Sequence, residues 1–186
     1  MKPQLISTCL FAISFSAFAA DVAPTSPPAN NTANPAANPA PGRVPAAKGP
    51  ALDLAIEAAK IAIETCKADG GQKIGVSVID SAGILKVLLA ADGTSPRGVQ
   101  SSTVKAFTAL TFKSPTSAVG EQAKTDSALS DKVTNNPTYN VRPGGVLIKV
   151  GEEIIGAIGV GGGRTDEACA IAGLQKIQPQ LNLAQY

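Results

Sequence analysis

The chain has 186 residues, 44% hydrophobic and only 16% charged, with 16 Lys and Arg against 14 Asp and Glu, no His, no Trp and one Met, Met1. Without imidazole, zinc sites built on His, Ser-His-Asp and Cys-His nucleophiles, and His-ligated haem are excluded, which leaves Lys, Arg, Asp, Glu, Tyr, Cys, hydroxyls and backbone to carry any chemistry. From Ala51 to Tyr186 the charges balance at 13 basic and 13 acidic residues, so a nucleic-acid or anionic-membrane partner, which needs a cationic surplus, is not expected.

Lys2 precedes an apolar run from Leu5 to Ala20, and Ala17-Phe18-Ala19 has the small-x-small pattern of a signal-peptidase site. The run of about 16 residues, interrupted by Ser7, Thr8, Ser14 and Ser16, is short of the ~20 that cross a bilayer. Residues 1–19 therefore read as a cleaved export signal, and the mature chain is expected in a periplasm or outside the cell with no membrane span. Asp21 to Pro50 holds eight Pro and eight Ala with no aromatic, Leu or Ile residue. Too little apolar surface is available there to offset chain entropy, so residues 20–50 read as a disordered, Pro/Ala/Asn-rich linker.

Residues 51–186 make one domain. Leu52, Ile56, Ala59, Ile63 and Cys66 recur at helical spacing, and Gly70-Gly71 stops that helix near Ala68. Lys73 to Asp80 and Ile84 to Ala91 read as two strands of a hairpin joined at Ser81-Ala82-Gly83. A second helix is expected over Gln100 to Phe112. One or two shorter helices follow over Thr116 to Val133, with Pro115 suited to a helix start. A second hairpin runs Gly145 to Val150, turns at Gly151-Glu152 and returns over Glu153 to Val160. The last helix covers Thr165 to Ile177, with Thr165 as N-cap and Asp166 and Glu167 in the first turn, where the helix dipole favours acids. Two hairpins with terminal and intervening helices make an α+β domain with an antiparallel sheet.

Five segments in order, Val76-Ser77-Val78-Ile79-Asp80-Ser81-Ala82-Gly83, Ala91-Asp92-Gly93, Lys105-Ala106-Phe107-Thr108-Ala109, Gly144-Gly145 and Gly156-Ala157-Ile158-Gly159-Val160, resemble the GlcG/HbpS-like haem-binding protein family over about residues 52 to 178. The resemblance implies a profilin-like sheet of about five antiparallel strands with helices on both faces. It further implies homo-oligomerisation and a small-molecule ligand, haem or a related tetrapyrrole, in a family with many members of no assigned activity. Where many relatives have Pro-His-Thr, this chain has Pro96-Arg97-Gly98. A guanidinium cannot ligate iron, but it pairs with a carboxylate such as a haem propionate.

The ligand site implied by these motifs comprises Arg97, Lys105 and Thr108, with Tyr139, Gly144 and Gly145 nearby. Lys105 is either an anion-holding residue or a helix lysine paired with Asp80 or Asp92. Thr108 either adds a hydroxyl to the pocket or bonds back to its own helix. Asp80 and Asp92, each ending a strand beside a Gly, read as turn residues ahead of an acid/base pair. Tyr139 reads as a packing residue ahead of a ferric ligand. No metal site is expected, since no third carboxylate clusters with the pair. The run Gly159 to Gly163 matches no phosphate-loop pattern and reads as a tight connection or as a subunit contact needing close backbone approach.

After signal cleavage Cys66 and Cys169 remain, an even pair that suggests a disulfide in an oxidising compartment; two separate buried thiols are the alternative. The profilin-like arrangement implied by the resemblance puts both on one side of the sheet. The leading reading is a non-catalytic small-molecule-binding protein. A minor enzyme acting on a small organic acid through Lys105 with Asp80 or Asp92, and a structural homo-oligomer without ligand, are the alternatives.

Overall fold

The computed structural model describes residues 46–183; the expected export signal and most of the expected linker lie outside the described residues. Nine elements follow in chain order: α1 (Leu52–Ala68), β1 (Gly75–Asp80), β2 (Leu85–Ala90), α2 (Pro96–Phe112), α3 (Thr116–Ala123), α4 (Ser127–Thr134), β3 (Gly145–Val150), β4 (Glu153–Gly161) and α5 (Asp166–Leu183). The two expected hairpins pair through their central strands, giving the order β2-β1-β4-β3 with every neighbour antiparallel. The sheet thus has four strands among the described residues, where the resemblance implied about five. The period-2 apolar pattern occurs only in the two hairpins, and the stretch between them is spent on α2, α3 and α4.

The sheet buries both faces. Val76, Val78, Ile158 and Val160 point into a core shared with α1 and α5, while Ile79 and Ala157 point to α2. Alternation along β1 separates these two sets, as a strand covered on both sides requires. Residues 46–50, expected as linker, already touch the domain. The Lys48 amide donates to Ser81 Oγ (2.9 Å), the Ser81 amide donates to the Lys48 carbonyl (2.8 Å), and Lys48 Nζ meets Glu153 (2.6 Å).

The buried face of α1 is rotated from the expected one. Ala55, Ala58, Ala59, Ala62 and Cys66 are buried, whereas Leu52 is 54% exposed and Ile56 and Ile63 only flank the core. The cause is the close crossing of α5, where a side chain on Gly173 would strike the Ala58 carbonyl. At that separation only alanines fit between the axes. Helix α5 runs past the expected end at Ile177, continuing through Pro179 to bury Leu181.

Helix α2 approaches the sheet still more closely. A Cβ on Gly159 would meet the Ser102 carbonyl oxygen and the Ala106 amide, and one on Gly145 would meet the Lys105 carbonyl oxygen. Ser77 fills the remaining gap, its hydroxyl 2.8 Å from those of Ser102 and Thr103. The tight connection read from the Gly run is therefore a seat for a helix. Across the other face, Cys66 near the end of α1 is bonded to Cys169 in the first turns of α5, with Cα atoms 5.6 Å apart and a separation of 103 positions in sequence.

Two stability measurements test this packing. Gly159→Ala, which sets a methyl against the backbone of α2, is expected to lower the unfolding free energy by about 2–3 kcal/mol in urea denaturation. Replacing Cys66 and Cys169 by Ser is expected to cost about 4–5 kcal/mol in the chain-entropy model of a loop of this length, read as a lower denaturation midpoint; an unchanged midpoint would show that the bond constrains little.

Candidate functional site

The site begins with a cap. Ser95 Oγ accepts from the Gly98 amide (3.1 Å) and Pro96 occupies the first helical position, so α2 starts a turn before the expected Gln100. Arg97 consequently stands on the positive end of a helix and not in a loop. Ser101 and Lys105 follow at intervals of four residues, so all three fall on one face of α2. That face lines a cavity of about 720 Å3 whose other walls are the connection from α4 to β3, with Tyr139 and Arg142, and the connection from β4 to α5, with Gly162, Gly163 and Arg164.

At the inner end of the cavity lies a buried ion pair. Lys105 Nζ is 2.6 Å from Asp166 Oδ2, with side chains 3% and 8% exposed, and it also donates to the Val160 carbonyl (3.0 Å). Asp166 Oδ1 accepts from the Gly163 amide (2.8 Å). Charges removed from water need such saturation, because desolvation costs each ion several kcal/mol in a protein interior. The partner of Lys105 is thus Asp166, neither Asp80 nor Asp92. Asp80 Oδ1 accepts from the Ala82 and Ile84 amides (2.9 Å each) and holds the β1–β2 turn, while Asp92 is exposed; neither lines the cavity. Asp166 was legible only as a helix-dipole acid, since nothing in the sequence links it to a lysine 61 residues away.

The other sequence-derived site residues divide between wall and support. Arg97, Lys105 and Tyr139 line the cavity; Thr108, Gly144 and Gly145 do not. Thr108 Oγ1 donates to the Val104 carbonyl (2.7 Å) and accepts from the Asn140 amide (2.9 Å), so it bonds back to its helix and also anchors the loop that carries Tyr139. The Asn140 side chain adds a second tie, donating to Ser101 Oγ (3.0 Å). Gly144 has φ +136°, and a Cβ there would lie 2.8 Å from Lys105 Nζ and 2.9 Å from Asp166 Cβ, so it makes room for the ion pair. Gly145 seats α2 and donates its amide to Thr116 Oγ1 (2.9 Å). The Tyr139 ring stands edge-on to Phe112, centroids 5.1 Å apart.

The sequence reading gave no role to Arg142 or Arg164. Both are exposed, as is Arg97, and all three line the cavity. Among the described residues Asp166 is the single acidic residue in the wall, and it is spent on Lys105. None of the three guanidiniums lies within ion-pair distance of a carboxylate among the described residues. A domain with balanced charge therefore concentrates a positive surplus at one cavity, an arrangement suited to binding anions and carboxylates in particular. No group of three His, Cys, Asp or Glu placed to hold a metal ion occurs among the described residues.

Fold and cavity together define an α+β domain with helices on both faces of an antiparallel sheet and a cation-walled cavity beside its second helix. The chain belongs to the HbpS-like family: the family model described as haem degrading protein HbpS-like matches residues 51–175. A double mutant of HbpS from Streptomyces reticuli is 29% identical with a TM-score of 0.65, the match covering 79% of this chain and 99% of that one. The protein ORFY from Klebsiella pneumoniae is 21% identical (TM-score 0.64; 79% and 99% covered), and PduOC, solved as a haem complex, is 18% identical (TM-score 0.63; 68% and 94% covered). The last two show likeness of fold. No curated protein matches the sequence.

The ion pair makes a testable prediction about stability. Asp166→Asn strands a buried ammonium and is expected to cost about 3–5 kcal/mol, whereas Lys105→Met with Asp166→Leu removes both charges and is expected to lie closer to the wild type. Chemical denaturation of the two variants beside the parent measures the difference.

Proposed function

We propose that this chain is an exported small-molecule-binding protein whose cavity takes haem or a related tetrapyrrole without His ligation. The observation that carries this reading is the set of three guanidiniums, unpaired among the described residues, around one cavity in a member of the HbpS-like family. At about 720 Å3 the cavity falls within the ~300–1,000 Å3 typical of small-molecule sites. PduOC in its haem complex adds support at the level of the fold.

The residues present fit the acidic periphery of a haem. Arg97, on the N-terminal turn of α2, and the guanidiniums of Arg142 and Arg164 supply paired donors for propionates, while Val104, Pro137 and Pro143 supply apolar wall. Tyr139 offers the cavity a phenol. When bound, haem would supply a redox-active iron. Lys105 and Asp166 hold the inner wall in shape and neutralise one another, so the guanidiniums face the ligand without a competing acid.

Export is supported by the signal-like residues 1–19 and by the Cys66–Cys169 bond, which persists in oxidising compartments. Self-association belongs to the same reading and is supported by the exposed apolar side chains of Ile84, Leu85, Leu88 and Phe107.

Titrating the mature protein with hemin is expected to give a saturable Soret shift. Arg97→Ala, an exposed position, is expected to weaken binding about tenfold, the equivalent of one charge-assisted contact. Absence of a saturable shift at micromolar hemin would remove haem from the account.

A further inference from the structure

We propose that the cavity recognises the carboxylates of its ligand and is indifferent to a bound metal, so that metal-free tetrapyrrole diacids bind as haem does. The proposal rests on the reading of the cavity as a tetrapyrrole site. Its basis is the division of labour among the wall residues.

Three separate chain segments each deliver one guanidinium, and the backbone under each is held. The capped first turn of α2 carries Arg97. The Arg142 amide donates to Asn140 Oδ1 (3.1 Å), in the loop that Thr108 and Ser101 tie to α2. The Arg164 amide donates to Gln72 Oε1, whose amide nitrogen in turn donates to Thr165 Oγ1 (2.7 Å). Fixed footings under flexible arginine stems suit bidentate capture of carboxylates, which a guanidinium fork matches in shape as well as charge.

The groups that would recognise a metal are otherwise engaged. Imidazole is missing from the sequence, and Cys66 and Cys169 are bonded to each other on the opposite face of the sheet. The Lys105 ammonium is committed to Asp166 and Val160, and Asp166 to Lys105 and Gly163. The hydroxyl of Ser101 and the amide of Asn140 are bonded together. Tyr139 remains, its ring lodged against Phe112. With charge pairing supplied three times over, the number of ligand carboxylates decides affinity.

The test compares hemin, metal-free protoporphyrin IX and protoporphyrin IX dimethyl ester by absorbance and fluorescence titration of the mature protein. Hemin and the free diacid are expected to agree within about threefold and the ester to bind at least about tenfold more weakly. Arg142→Gln and Arg164→Gln, both at exposed positions, are expected to weaken the two diacids equally, and Tyr139→Phe to change neither. Hemin binding with the free diacid at least about tenfold weaker, or a loss confined to hemin in Tyr139→Phe, overturns the proposal and leaves the tetrapyrrole reading standing. So does an ester that binds as tightly as the diacid, or diacid affinity unmoved by both Gln variants. If neither hemin nor protoporphyrin IX binds, the tetrapyrrole reading falls and this proposal with it.

Discussion

An ammonium and a carboxylate taken out of water together must find each other and saturate their remaining hydrogen bonds, or the fold loses several kcal/mol. Lys105 and Asp166 meet that condition only if α2, the end of β4 and the start of α5 arrive at one point, because the acceptors and donor that complete the pair are the Val160 carbonyl and the Gly163 amide. The glycines follow from the same demand. Without Gly159 and Gly145 beneath it, α2 would ride higher on the sheet, and without Gly144 there would be no room beside the lysine nitrogen. Cys169, three residues after Asp166, ties the same stretch of α5 to α1, so its start is pinned from two directions.

That pinning shapes the cavity. With Asp166 withdrawn into the pair, the wall keeps its cations and loses the one competing acid among the described residues. The surplus is local, since the domain as a whole carries balanced charge, and locality is what separates a binding site from a generally basic surface that would gather nucleic acid or anionic lipid. A buried pair of no net charge thus sets the electrostatics of a cavity whose exposed guanidiniums carry the positive surplus. Membership of the HbpS-like family agrees with this build and leaves the mode of holding a ligand to the chain's own residues.

Much of the fold was legible because its signals are local. The strand Gly145 to Val150 and its turn at Gly151-Glu152 were read where they occur, and α1 ends before its Gly pair as expected. Ser95-Pro96 held a cap signal that places the start of α2 a turn earlier than apolar periodicity alone, and with it the setting of Arg97. The buried face of α1 was misjudged because the largest apolar residues were assigned to the core, whereas the approach of Gly173 admits only alanines. A fifth strand rested on resemblance, with no alternating segment to form it.

Composition settled the chemistry that the chain lacks: no imidazole, an even pair of cysteines in the expected mature chain, and balanced charge in the domain. Periodicity and turn residues settled the succession of helices and hairpins, since each is decided within a few residues. Tertiary structure alone decided that Lys105 meets Asp166, that Thr108 ties its helix to the loop carrying Tyr139, and that Arg97, Arg142 and Arg164 share one cavity. These are contacts between residues tens of positions apart, governed by how closely helices settle on a sheet, and no local pattern of charge or hydropathy encodes that distance.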